Sequence, residues 1–80
     1  MRYILFIKED CPFCIKAVDA LEQKELPHSI VAFEEGQDSI LNEIKEAYDW
    51  KTVPMIFYRN VDHIEFIGGY TDLVEYMGNV

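Results

Sequence analysis

The chain has 80 residues, half of them hydrophobic and 14% aromatic, with a formal net charge of −8 at pH 7. That length allows one domain, residues 1–80, and its apolar content supplies a core without staples. The acidic balance disfavours nucleic acid and anionic membranes as partners, and two cysteines are too few for a secreted disulfide scaffold.

The first predicted element is a strand from Tyr3 to Ile7, a continuous apolar run suited to burial on both faces. It is too short to cross a bilayer, and Lys8-Glu9-Asp10 follows where a cleavage site would stand. With no export signal legible, the expected compartment is the reducing cytoplasm, where a lone C-x-x-C is more often catalytic than structural. A helix is predicted from Pro12 to about Glu25, with Ile15, Val18 and Leu21 as its apolar stripe. Leu26-Pro27 ends it, since the residue before a proline avoids the helical region. A second strand from Ser29 to Phe33 closes in the polar turn Glu34-Glu35-Gly36.

Asp38 or Ser39 is expected to cap a second helix with Ile40, Leu41, Ile44 and Tyr48 along one side. Val53 to Tyr58 and His63 to Ile67 read as an antiparallel hairpin turning at Arg59-Asn60-Val61-Asp62. Gly68-Gly69 then breaks the chain, and Thr71 is expected to cap a last helix carrying Leu73, Val74 and Met77. The order β-α-β-α-β-β-α describes an α/β fold. Its first two strands are parallel through a right-handed crossover, the hairpin extends them into a four-stranded mixed sheet, and helices cover both faces.

The chemistry-bearing segment is Lys8-Glu9-Asp10-Cys11-Pro12-Phe13-Cys14. Proline suits the first helical position, which puts Cys11 at the N-cap and Cys14 in the first turn. Residues three apart share a helix face, and Cα atoms roughly 5–6 Å apart are within the span of a disulfide. The same placement favours a thiolate on Cys11. Lowering a thiol by about 3 units from its usual pKa near 8.5 takes ~4 kcal/mol of preference for the anion. The helix dipole supplies about 0.3–1 kcal/mol, or ~2 in a favourable site. The remainder has to come from direct donors: the N–H groups of Phe13 and Cys14, the Cys14 thiol and the Lys8 ammonium. Cys11 is therefore the predicted nucleophile and Cys14 the resolving thiol. Half of a zinc site is a weaker reading, because only His28 and His63 remain as further ligands. An inert buried pair is another. Tyr48 and Trp50 fit core packing better than a ligand cage.

Cys11-Pro12-Phe13-Cys14, Thr52-Val53-Pro54 and Gly68-Gly69-Tyr70-Thr71-Asp72-Leu73, in that order and spacing, resemble the motifs of a dithiol glutaredoxin across essentially the whole chain. The resemblance implies a thioredoxin-like fold in which Pro54 is cis and its loop faces the cysteines. It implies glutathione as co-substrate, held as a mixed disulfide on Cys11. Lys8 and Lys51 would then attract the glycine carboxylate, and Val53, between Thr52 and Pro54, would pair with the cysteinyl backbone like an added strand. Thr71 and Asp72 would take the γ-glutamyl end, through the N-terminus of the last helix and the carboxylate. Gly68 and Gly69 would let that backbone come close, and Tyr70 would wall the site. Pro12 holds the turn that aims the donors at Cys11. Phe13 departs from the family's usual tyrosine, keeping the ring beside the sulfur and losing the hydroxyl.

The implied activity is that of a monomeric, metal-free thiol–disulfide oxidoreductase acting on protein disulfides and glutathione mixed disulfides. By family analogy ribonucleotide reductase is a protein client. Two rival readings remain. One is a redoxin served by thioredoxin reductase, which would have no need of the Thr71–Asp72 site. The other is a dimeric iron–sulfur carrier ligated by Cys11 and glutathione, against which the rigid Pro12 argues.

Overall fold

A strand apolar on both faces belongs inside a sheet, and β1 (Arg2–Lys8) lies there. The computed structural model describes residues 1–34 and 36–78. β1 pairs in parallel with β2 (His28–Phe33) and antiparallel with β3 (Met55–Arg59). β3 in turn pairs antiparallel with β4 (Ile64–Gly68), so the sheet runs β2-β1-β3-β4. The helices are α1 (Pro12–Gln23), α2 (Asp38–Ala47) and α3 (Tyr70–Gly78). This is the expected β-α-β-α-β-β-α order on a four-stranded mixed sheet.

Side chains alternate across a strand, and that alternation divides the core in two. Tyr3 and Leu5 of β1 and Ile56 of β3 pack with Ala17 and Leu21 of α1 and with Leu73 and Met77 of α3. On the other face Phe33, Met55 and Phe57 pack with Leu41 of α2, with Ile4 and Phe6 against them. Two helices thus cover one face and one covers the other. Leu21 is fully buried, and its truncation to alanine would cost about 2–5 kcal/mol. Tyr3 meets Tyr58 and Tyr76 edge-on. Burial, and then those two neighbours, push the Tyr3 hydroxyl above its ordinary pKa.

Several expected details are corrected. The buried stripe of α1 is Cys14, Ala17 and Leu21, while Ile15 is 61% exposed. Leu21 and the partly buried Val18 pack on the core as expected; one residue is 100° of helix, and Ile15 falls outside the stripe that Cys14 and Ala17 complete. α1 stops at Gln23 because Glu25 takes a left-handed conformation, with φ of 53°. The Leu26 N–H then donates to the Leu21 carbonyl and the Glu25 N–H to the Glu22 carbonyl, a Schellman closure. α2 ends the same way, with Asp49 at φ 50° and the Trp50 N–H bonded to the Lys45 carbonyl.

The N-cap of α2 is Gln37, whereas Asp38 opens the first turn and pairs with Lys8. Ile40 and Val74 are exposed; Leu41 and Leu73 carry the packing of their helices. Tyr48, half-exposed, still reaches the Phe57 and Phe66 rings. β3 starts at Met55, which pairs with Phe6, because Pro54 has no N–H for the ladder. Arg59 belongs to the strand and His63 to the turn, where its carbonyl accepts from the Asn60 N–H. In the turn expected at Glu34-Glu35-Gly36, Glu35 lies outside the described residues.

Candidate active site

The end of β1 delivers the chain to α1 through Glu9 and Asp10, and Asp10 sits at φ 54°. Aspartate is one of the few residues that enters this left-handed region readily. Cys11 is the N-cap in extended conformation, Pro12 occupies the first turn, and the Cys11 carbonyl accepts from the Ile15 N–H. The Cys14 N–H donates to the Cys11 sulfur at 3.2 Å. A sulfur therefore fills the capping position normally held by a side-chain oxygen. Cys11 and Cys14 are joined in a disulfide with Cα atoms 5.2 Å apart. Cys14 is 2% exposed, while Cys11 is only partly covered. An incoming disulfide therefore reaches Cys11 first.

Three further segments gather beside the first turn of α1. The Val53 carbonyl oxygen lies 3.8 Å from Cys11 Sγ, and the Val53–Pro54 peptide bond is cis. The second segment is the start of α3. Its N-cap is Gly69, whose carbonyl accepts from the Leu73 N–H, so Thr71 lies within the first turn and does not cap it. The Asp72 carboxylate instead accepts from the Gly69 N–H at 2.9 Å. This is the returning half of a capping box. The N–H groups of Tyr70, Thr71 and Asp72 have no intrahelical acceptors, as in the first turn of any helix. Gly68, at φ 127°, makes the approach feasible: a Cβ there would come within 2.5 Å of an Asp72 carboxylate oxygen. The third segment is Trp50, whose ring edge would be 3.6 Å from a Cβ on Gly69.

Together they form a groove of about 340 Å³ lined by Phe13, Trp50, Thr52, Val53, Pro54, Gly69, Tyr70, Thr71 and Asp72. Phe13 is 55% exposed and leans toward Tyr70, with ring centroids 6.1 Å apart. Lys16 lies over the Phe13 ring, at 5.2 Å from its centroid. Three residues expected at the site stand apart from this groove. Pro12 is exposed at the helix start; Lys51 lines a neighbouring depression with Asp49, Trp50 and Thr52. The Lys8 ammonium is paired with Asp38, and the residue lines a second groove together with the two cysteines.

The packing role expected of Trp50 holds, and a second role joins it. Its ring meets Phe66 edge-on in the core and also lines the groove. The left-handed Asp49 sets its position, a turn that glycine would normally announce in a sequence. His28, a zinc candidate by type, uses its Nδ1 on the Leu26 carbonyl at 2.8 Å.

The arrangement holds a covered sulfur and an accessible one, an N–H aimed at the accessible sulfur, and an adjacent groove with free backbone donors. That is equipment for thiol–disulfide exchange. The glutaredoxin family model matches residues 4–64. Glutaredoxin-1 of ectromelia virus is 36% identical over 81 residues, covering 92% of this chain and 69% of the viral protein. Glutaredoxin-1 of vaccinia virus strain Copenhagen is 35% identical with the same coverage. The solved structure of glutaredoxin 1 from Francisella tularensis, complexed with cacodylate, matches at a TM-score of 0.76 over 98% of this chain and 93% of that one. At 20% identity it speaks for the fold alone. Oxidized glutaredoxin 2 from Chlamydomonas reinhardtii matches at a TM-score of 0.72 and 25% identity, covering 98% of this chain and 72% of that one. With its cysteine pair at the start of α1, the chain belongs to the glutaredoxin family and is a thiol–disulfide oxidoreductase.

Proposed function

We propose that the electrons come from glutathione and that the enzyme reduces both glutathione mixed disulfides and protein disulfides. The supporting observation is the groove beside Cys11, which gathers the Thr52-Val53-Pro54 loop and the start of α3 in one place. Glutathione is a short extended peptide with a carboxylate at each end and an ammonium at one. Val53 offers it a backbone edge, as an added strand would need. The open N–H groups of Thr71 and Asp72 suit the γ-glutamyl carboxylate, and the Asp72 side chain suits the neighbouring ammonium. Lys51 stands beside Thr52 for the glycine carboxylate; Lys8 would have to leave Asp38 to take part.

In this reading the Cys11 thiolate attacks the glutathione sulfur of a mixed disulfide. The old S–S bond breaks, and the leaving thiolate takes a proton. A second glutathione thiolate then attacks the glutathionyl sulfur on Cys11, forming oxidised glutathione and restoring the Cys11 thiolate. A protein disulfide takes the dithiol route, in which Cys14 displaces the client from Cys11 and closes the internal disulfide. The Cys14 N–H, donating to Cys11 Sγ, favours the charged form of the attacking and departing sulfur alike. By family analogy ribonucleotide reductase is among the clients, and the working compartment is the reducing cytoplasm. The working form is a monomer without metal.

The test is a pair of NADPH-coupled assays, one with glutathione and glutathione reductase and one with thioredoxin reductase. Wild type, Cys11→Ser and Cys14→Ser are compared in each. Turnover is expected with glutathione, lost in Cys11→Ser, and partly kept by Cys14→Ser on glutathione mixed disulfides only. Turnover with thioredoxin reductase alone would reject the glutathione reading.

A further inference from the structure

We propose that the second groove, between the start of α1 and β2, receives the polypeptide of a protein disulfide client and favours segments that are apolar and basic. The proposal rests on the exchange chemistry above and assigns a separate site for the client chain. Cys11 and Cys14 themselves line this groove, about 340 Å³ in size, whereas neither lines the groove given to glutathione. Its floor and sides include Ile7, Ile15, Val18 and Ile30. Ile15 is 61% exposed and Ile30 45% exposed, so two large aliphatic side chains face water beside the reacting sulfurs. Isolated exposed apolar residues need no explanation, but these share one groove with a reactive centre.

Charge selects the occupant. Glu9, Asp10 and Asp19 also line the groove, and none is in an ion pair among the described residues. The one lysine lining it, Lys8, is neutralised by Asp38. Glutathione carries two carboxylates against one ammonium and is repelled here. A client segment with lysine or arginine near its cystine is attracted, and its aliphatic side chains have Ile15 and Ile30 to cover. The two grooves thus divide the substrates by charge while sharing Cys11.

The chemistry balances without an outside reagent. The Cys11 thiolate attacks one sulfur of the client disulfide, breaking that bond and releasing a client thiolate that is protonated. The Cys14 thiolate then attacks Cys11, forming the internal disulfide and releasing the second client sulfur, which is also protonated. Two electrons and two protons pass from the enzyme dithiol to the client.

The test uses pre-reduced full-length protein in single turnover, with no glutathione present. Two synthetic peptides carry the same internal disulfide, flanked by leucine and lysine in one and by leucine and glutamate in the other. Wild type is expected to reduce the basic peptide about 10-fold faster at low ionic strength, a ratio that narrows as salt screens the rim. Asp19→Lys should collapse that ratio. Glu43→Lys, on α2 across the sheet, changes the net charge equally and should leave the ratio nearly intact. Ile30→Ser should slow both peptides several-fold. All three variants should turn over a small glutathione mixed disulfide like wild type. Equal rates on the two peptides would overturn the proposal, as would Glu43→Lys matching Asp19→Lys, which would assign the preference to net charge. Sedimentation showing a dimer that Ile30→Ser dissolves would also overturn it, giving the groove to a second copy. Absence of glutathione turnover in wild type would reject the glutathione reading and leave the peptide result standing.

Discussion

α1 and α3 pack against the same face of the sheet, and at the start of each a side-chain acceptor holds a backbone N–H three residues away. In α1 the acceptor is the N-cap sulfur of Cys11, on the Cys14 N–H at 3.2 Å. In α3 it is the carboxylate of Asp72, three residues inside the cap, on the Gly69 N–H at 2.9 Å. Both meet the same need, since the first turn of a helix has N–H groups without partners. They differ in what the acceptor can do. A sulfur stabilised as an anion can attack and leave; a carboxylate held by the cap can only bind and orient. In the function proposed above, one helix start supplies reactivity and the other recognition. α2, on the opposite face, has no side-chain cap and takes no part in either groove.

Substitutions at the three helix starts separate these roles. Cys11→Ser removes the nucleophile and should lower disulfide-exchange turnover by more than about 1,000-fold without unfolding the chain, checked by steady-state kinetics beside circular dichroism. Gly68→Ala strikes the frame of the second site. At φ 127° the new methyl group is strained, and it would push the Asp72 carboxylate away from the Gly69 N–H. A stability loss of about 1–3 kcal/mol in urea titration is expected, together with a raised KM for glutathione mixed disulfides. Asp72→Ala keeps the backbone and deletes the carboxylate. It should raise that KM about 10-fold, equal to about 1.4 kcal/mol, with kcat little changed. A loss confined to kcat would place Asp72 with the chemistry and not with binding. Asp38→Ala serves as the contrast at α2: it breaks only the exposed pair with Lys8 and should change stability by less than about 1 kcal/mol. A large effect on activity would bring Lys8 into the site by another route.

The element order and the placement of Cys11 at a helix start were legible in the sequence, because proline at the first helical position and apolar periodicity are local signals. The three motifs also indicated which distant segments belong with the cysteines. What escaped was governed by tertiary packing or by unusual backbone. Ile15 looks like a core residue by spacing, yet α1 turns Cys14 and Ala17 inward. Glu25 and Asp49 end their helices in a left-handed conformation without the glycine that usually marks it; Leu26-Pro27 signalled the first stop two residues late, and the second carried no signal of its own. The second of those stops sets Trp50 in the groove. Thr71 carries the right side chain for a cap, but Gly68 and Gly69 move the helix start two residues earlier and leave Asp72 to close the turn. The groove lined by Ile15 and Ile30 has no sequence motif, since it is made by a helix and a strand meeting side by side.

The central claim is that the start of α1 makes Cys11 the attacking sulfur and leaves Cys14 to resolve. It is tested most directly by brief alkylation of the fully reduced protein with iodoacetamide near neutral pH, followed by peptide mapping in a mass spectrometer. The label should appear on Cys11 first, with Cys14 modified far more slowly behind it. Faster labelling of Cys14, or equal labelling of the two, would contradict the account.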